Sequence, residues 1–213
     1  MKTKLVTVLI LLSFLFPVTG HAQKMMNTKH YKSHFIFQSS LSFDAGVGKL
    51  KFGNRHLNNN IPTFNVDQLL AYQFNPYVTF GVDLGVNIWK KTAFIPVALS
   101  LNIDFMDYVV SPCWYLNAGY SFKWYSSPKP EKMTLVIHGA DPGWYINSGV
   151  GAKLRLKDEL MLLFAVDYKM QYSAIRYSEI PLDGTDYHAQ LYTNRSKNLF
   201  YHFVGVKIGL LYW

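Results

Sequence analysis

The chain has 213 residues, half of them apolar, 16% aromatic and only 16% charged, with 21 Lys and Arg against 13 Asp and Glu for a formal net charge of +8. This composition excludes a disordered chain, which is poor in aromatics and rich in charge, and a lone cysteine, Cys113, excludes an internal disulfide scaffold. A basic balance fits nucleic acid or an anionic membrane surface, and composition alone does not choose.

Lys2 and Lys4 precede an apolar run from Leu5 to Val18 broken at Pro17, and Gly20-His21-Ala22 offers small residues where a signal peptidase cuts. Residues 1–22 therefore read as a cleaved signal peptide, leaving one domain over 23–213. The run is shorter than the ~20 residues of a membrane-spanning helix. No cysteine follows it to take a lipid anchor. Export from the cytoplasm leaves no nucleic acid to bind, so none is expected as a partner.

Period-two alternation then recurs eight times. His34–Gly48 sets Phe35, Phe37, Leu41, Phe43, Ala45 and Val47 against a polar face, and Thr63–Asn75 sets Phe64, Val66, Leu70, Tyr72 and Phe74 on one face with Gln68 as a polar intruder. Val78–Ile88 and Ile95–Phe105 alternate most cleanly. Trp114–Trp124, Trp144–Leu156, Leu160–Ser173 and Phe200–Tyr212 complete the series, and no further strand is expected between them.

Alternation leaves open which face points inward, and volume decides it. An eight-stranded barrel has an interior only just wide enough to be filled by side chains, so the large apolar faces do not fit inside. Glycines such as Gly81, Gly85, Gly119, Gly149, Gly151, Gly205 and Gly209 lie on the polar face, where a crowded inner wall needs small residues. The expected fold is all-β: a closed antiparallel eight-stranded transmembrane β-barrel with a side-chain-filled lumen.

Charge agrees with that choice. Asp44, Asp67, Asp83, Asp104 and Asp167, with Lys123, Lys153, Arg155, Lys169 and Lys207, all fall on the polar face, whereas Arg or Lys facing the bilayer midplane costs ~2–4 kcal/mol. The acids lie mainly in the first four strands and the bases in the last four. Closing the sheet is expected to join them as a salt-bridged lumen network that replaces a pore. Short connections at 75–76, 106–111 and 157–158 alternate with those at 49–62, 90–93, 125–142 and 174–198, mostly long, which puts the second set outside and both termini in the periplasm.

The leader, the eight strands, Trp89, Trp114, Trp124 and Trp144 as girdle aromatics, and the terminal alternation of Val204, Val206, Ile208, Leu210 and Tyr212 resemble the small outer-membrane barrels of the OmpX/OmpA-transmembrane-domain type. The resemblance implies an outer-membrane location and a last strand read by the barrel insertion machinery. Outer-membrane lipid A deacylases of the PagL type carry a His-x-Ser-Asn motif. The nearest match here is Arg176-Tyr177-Ser178-Glu179, in which a guanidinium stands where the general base belongs. His202 is the one histidine considered as a substitute base for Ser178.

The histidines His56, His138 and His188 show no metal-ligand spacing on a regular element, and no cofactor is expected. The reading is a non-enzymatic outer-membrane barrel with a structural or surface-interaction role through its external loops. Its expected partners are outer-membrane lipid and lipopolysaccharide, the insertion machinery, and a protein or surface ligand. A lipid A hydrolase or an accessory subunit of a transport or secretion complex stands as the alternative.

Overall fold

The computed structural model describes residues 33–52, 55–89, 92–126, 135–157, 159–179 and 194–213. The leader assigned to residues 1–22 lies outside the described residues. Among the described residues there are ten strands: β1 (His34–Val47), β2 (Lys49–Phe52), β3 (Arg55–Asn58), β4 (Pro62–Asn75), β5 (Val78–Trp89), β6 (Thr92–Asp104), β7 (Val110–Ser126), β8 (Leu135–Lys157), β9 (Leu160–Glu179) and β10 (Asn194–Tyr212). Eight of them close into an antiparallel barrel in the order β1-β10-β9-β8-β7-β6-β5-β4, with β1 also paired to β4.

Alternating residues turn inward because one face of every strand must meet the lumen. In β1 the buried positions are Ile36, Gln38, Ser40, Ser42 and Asp44, and Phe35, Phe37, Leu41 and Phe43 are exposed. The other barrel strands do the same, so large apolar side chains from all eight stand in the open, including Val82, Leu99, Phe122, Val150, Val166 and Val206. An apolar belt of this extent is a surface for hydrocarbon, since soluble proteins rarely expose contiguous apolar patches beyond a few hundred Å². No helix among the described residues is long and apolar enough to cross a membrane.

Two expectations about the strands need correction. β2 and β3 form an additional two-stranded ribbon in the connection after β1, with Leu50 opposite Leu57. Four-residue strands are too short to show a period, and Gly48, at φ 84°, makes the left-handed corner that turns β1 into the ribbon. The strands also run further at the loop end than alternation suggests. β8 begins at Leu135, β9 continues to Glu179 and β10 starts at Asn194, all inside segments read as loops. Register shifts between Ile137 and Gly139 and between Pro142 and Tyr145 each insert an extra residue into β8, which interrupts the period-two pattern of its extension.

The lumen carries an apolar cluster near each end. At the loop end Trp89, Phe94, Leu199, Tyr201 and Phe203 pack together, capped by Leu50 of the ribbon with Ile61 alongside. At the end holding the termini, Ile36, Cys113, Tyr115, Leu163, Ala165 and Leu211 form the second, with Met161 and Trp213 against it. Trp89 is therefore a lumen residue and not a girdle aromatic. It shares its parity with Asp83 and Asn87, donates Nε1–H to Asn87 Oδ1 at 2.8 Å, and meets Phe94, Tyr201 and Phe203 at ring-centroid distances of 5.2 Å or less. Trp124 and Trp144 do face outward, and Trp144 joins Tyr172 and Phe200 in an outer aromatic group.

Trp89→Ala should destabilise the barrel by roughly 3–5 kcal/mol, as for other large-to-small core changes. Urea unfolding from detergent micelles, followed by tryptophan fluorescence with Phe94→Ala as a second variant, measures it.

Candidate functional site

The charged side chains of the barrel strands fall into ion pairs and hydrogen-bonded groups along the inner face. Lys169 Nζ sits 3.0 Å from Asp44 Oδ2 and also donates to Asn65 Oδ1 at 3.0 Å. Thr63 Oγ1 and Asn65 Nδ2 donate to that same carboxylate oxygen at 3.0 and 2.8 Å. Lys153 Nζ lies 2.7 Å from Asp104 Oδ1 and 2.8 Å from Oδ2. Lys207 Nζ is 3.5 Å from Asp67 Oδ2 and 4.9 Å from the centroid of the Tyr115 ring.

Two aspartates have neutral partners instead. Asp167 Oδ2 accepts Tyr115 Oη–H at 2.7 Å and Asn147 Nδ2 at 3.3 Å, and Asp83 Oδ2 accepts Asn117 Nδ2 at 2.8 Å. The last two bases pair with acids outside the periodic segments. Arg155 Nη2 meets Asp107 Oδ1 at 3.0 Å near the end holding the termini, and Lys123 Nζ is 3.8 Å from Asp141 Oδ1 at the loop end. Asp107 sits in a turn and Asp141 beside the β8 bulge, so alternation did not reach either partner.

Each buried ion pair reaches over one intervening strand. Asp44 on β1 and Lys169 on β9 meet across β10, Asp67 on β4 and Lys207 on β10 across β1, and Asp104 on β6 and Lys153 on β8 across β7. Strands two apart are separated by roughly 10 Å, and the strand between must keep clear of the bridge. Gly205 illustrates the requirement. It lies in register between Asp44 and Asp167, and a Cβ there would collide with Asp44 Oδ1 and press on Asp167 Oδ1.

The loop end is closed by a side chain as well. Asn59, 1% exposed, donates Nδ2–H to the His202 carbonyl at 2.8 Å, and its backbone N–H reaches the Gly48 carbonyl at 2.9 Å. Its amide occupies the space that a Cβ on Gly46 would fill. The ribbon is thus pinned across the seam between β1 and β10, where it lowers Leu50 onto the aromatic cluster.

The two residues considered for nucleophilic chemistry are not brought together. Ser178 is paired with Asn194 and Val136, whereas His202 is paired with Met170 and Val47. Eight residues of β9 separate those positions, roughly 26 Å along the strand. His202 Nδ1 is engaged 2.6 Å from Tyr168 Oη on the outer wall. Other polar groups on that wall are paired too: Ser39 Oγ donates to Gln68 Oε1 at 2.6 Å and Trp114 Nε1 to Ser148 Oγ at 3.0 Å.

No family model matches the sequence, and no curated protein matches it. Solved structures do resemble it. The outer membrane protein OprG from Pseudomonas aeruginosa aligns with a TM-score of 0.53 and 11% identity over 84% of this chain and 94% of that one. Neisserial surface protein A aligns with a TM-score of 0.50 and 13% identity over 85% and 99%. The outer membrane protein AlkL aligns with a TM-score of 0.50 and 14% identity over 91% and 96%. At such identities the likeness is one of fold.

Lys169→Met removes the ammonium and leaves Asp44 buried, and should cost roughly 3–5 kcal/mol. Asp44→Asn combined with Lys169→Met should recover much of that loss, because no bare charge then remains. A double-mutant cycle by denaturant unfolding reads both.

Proposed function

We propose that this protein is an integral outer-membrane barrel that conducts no solute through its lumen and acts at the cell surface through its loop end. The observation that carries the reading is the filling of the lumen along its length. An aromatic cluster capped by Leu50 lies at one end, the Asp44–Lys169 and Asp67–Lys207 pairs in the middle, and a second apolar cluster at the other. The location rests on the exposed apolar belt together with the likeness in fold to outer-membrane barrels. The OmpX/OmpA-like terminal strand supports recognition by the insertion machinery, and the alternation of short with mostly long connections supports both termini in the periplasm.

The connections assigned to the exterior carry more Lys and Arg than Asp and Glu. Phosphorylated lipopolysaccharide is the anionic surface that this excess meets, over a Debye length of about 8 Å. The role is non-enzymatic. The separation of Ser178 from His202 supports that reading, and turnover of purified lipid A by the folded protein would overturn it.

Reconstitution into planar bilayers should give no steady stepwise conductance, while Leu50→Asp combined with Asn59→Ala, which loosens the cap, should give transient openings. Regular steps from the unaltered protein contradict a closed lumen. Migration in unheated detergent gels should be faster than after boiling, as for a compact barrel.

A further inference from the structure

The centre of the lumen holds more carboxylate than ammonium. Asp44, Asp67, Asp83 and Asp167 are set against Lys169 and Lys207, each of which already has an aspartate partner. Asp83, 6% exposed, has no ammonium or guanidinium within ion-pairing distance among the described residues, and takes only the amide hydrogen bond from Asn117. An unpaired buried carboxylate is costly unless a counter-charge is supplied.

Beside Asp83 lies a cavity of about 10 Å³ whose lining includes Gln38, Asp83, Ser100, Asn102, Asn117 and Lys207. Gln38 and Asn117 are 6% and 5% exposed, and both Gln38 Oε1 and Asn117 Oδ1 are buried without a hydrogen-bond donor. The Asn117 oxygen is not interchangeable with its nitrogen, because Nδ2 is held by the Asp83 carboxylate. Ser100 Oγ already accepts from Asn102 Nδ2 at 3.2 Å. Unsatisfied oxygens and an unpaired negative charge therefore border a space the size of one water.

We propose that this cavity binds one dehydrated monovalent cation of sodium size, held by Gln38 Oε1, Asn117 Oδ1 and the Asp83 carboxylate. Oxygen donors of this kind suit hard cations. Mg²⁺ retains several waters for which there is no room, and Ca²⁺ takes six to eight oxygens, usually with more than one carboxylate. A second positive charge is further disfavoured by the Lys207 ammonium alongside. The bound ion supplies Asp83 with a counter-charge, halves the carboxylate excess at the centre of the lumen and couples the stability of the barrel to Na⁺.

The test is urea unfolding of the full folded protein in a zwitterionic detergent, at equal ionic strength in sodium, potassium or tetramethylammonium chloride. Sodium should move the midpoint upward in a saturable way, and tetramethylammonium should not. The shift should vanish in Asp83→Asn and in Gln38→Met, and survive in Asp104→Asn, whose carboxylate lies outside the cavity. Asn117→Asp, which adds a carboxylate, should lower the sodium concentration at half effect. Identical midpoints in the three salts overturn the proposal and leave a water as the occupant. A sodium shift that survives in the cavity variants places the ion elsewhere and overturns it too.

Discussion

The structure depends on neutralising charge inside a tube too narrow for water to do it. Eight strands enclose a space that side chains fill, and the apolar face of each strand is committed to the exterior, so polar residues must satisfy one another within. Two of the ion pairs that result join residues far apart in the chain. Lys169 and Asp44 are 125 residues apart, and with Asp67–Lys207 they straddle the seam where the first and last barrel strands meet. Closing such a distance carries an entropic cost that must be offset by contacts formed only when the barrel shuts. The Asn59 amide, bound to a carbonyl 143 residues away, reinforces the same seam.

A pair of buried charges is not in itself a good source of stability, because apolar residues of the same volume often do as well. Register is what these pairs can specify. A slip of one residue along any strand would exchange its two faces and turn Asp44, Asp67 or Lys207 toward hydrocarbon, while moving Phe43, Val66 or Ile208 into a lumen that has no room for them. The glycines follow from the same demand. Gly205 leaves space for carboxylates from both sides, and Gly85 does so for Asp67, whose oxygen would collide with an added Cβ.

The faces of the strands were legible in the sequence because two solvents, hydrocarbon and a packed lumen, select side chains on opposite sides of every strand. Asp44, Asp83, Asp104, Asp167, Lys153, Lys169 and Lys207, on the polar face by parity, are buried for that reason, whereas Lys123 is exposed and the partners were only partly readable. Asp107 and Asp141 pair with Arg155 and Lys123 from a turn and from a bulge, where parity carries no information. Trp89 and Phe94 were readable in principle, since both share the parity of lumen residues, but large apolar side chains had been assigned as a class to the outside. Ile36, Leu69 and Leu211 follow the same exception. The Ser178–His202 separation was not readable at all, because it depends on the register of β10 against β9 and on strands that extend through segments read as loops.

Those extensions bear on how a surface role would work. β8, β9 and β10 continue past the Trp144–Tyr172–Phe200 aromatic group, with Glu179 paired to Leu135 and Ser178 to Asn194. Seven residues of β9 beyond Tyr172 span roughly 23 Å of extended strand. The Gln171 amide donates to the Gly143 and Tyr172 carbonyls at 3.1 and 2.9 Å, and Ser173 Oγ donates to the Asp141 carbonyl at 3.1 Å, so the backbone groups released at the bulge are satisfied as the sheet leaves the barrel. The connections beyond are therefore carried on a hydrogen-bonded platform fixed to the barrel wall. Presenting a loop from such a platform lowers the ordering cost of binding, and that advantage belongs to recognition at the surface and contributes nothing to passage through a filled lumen.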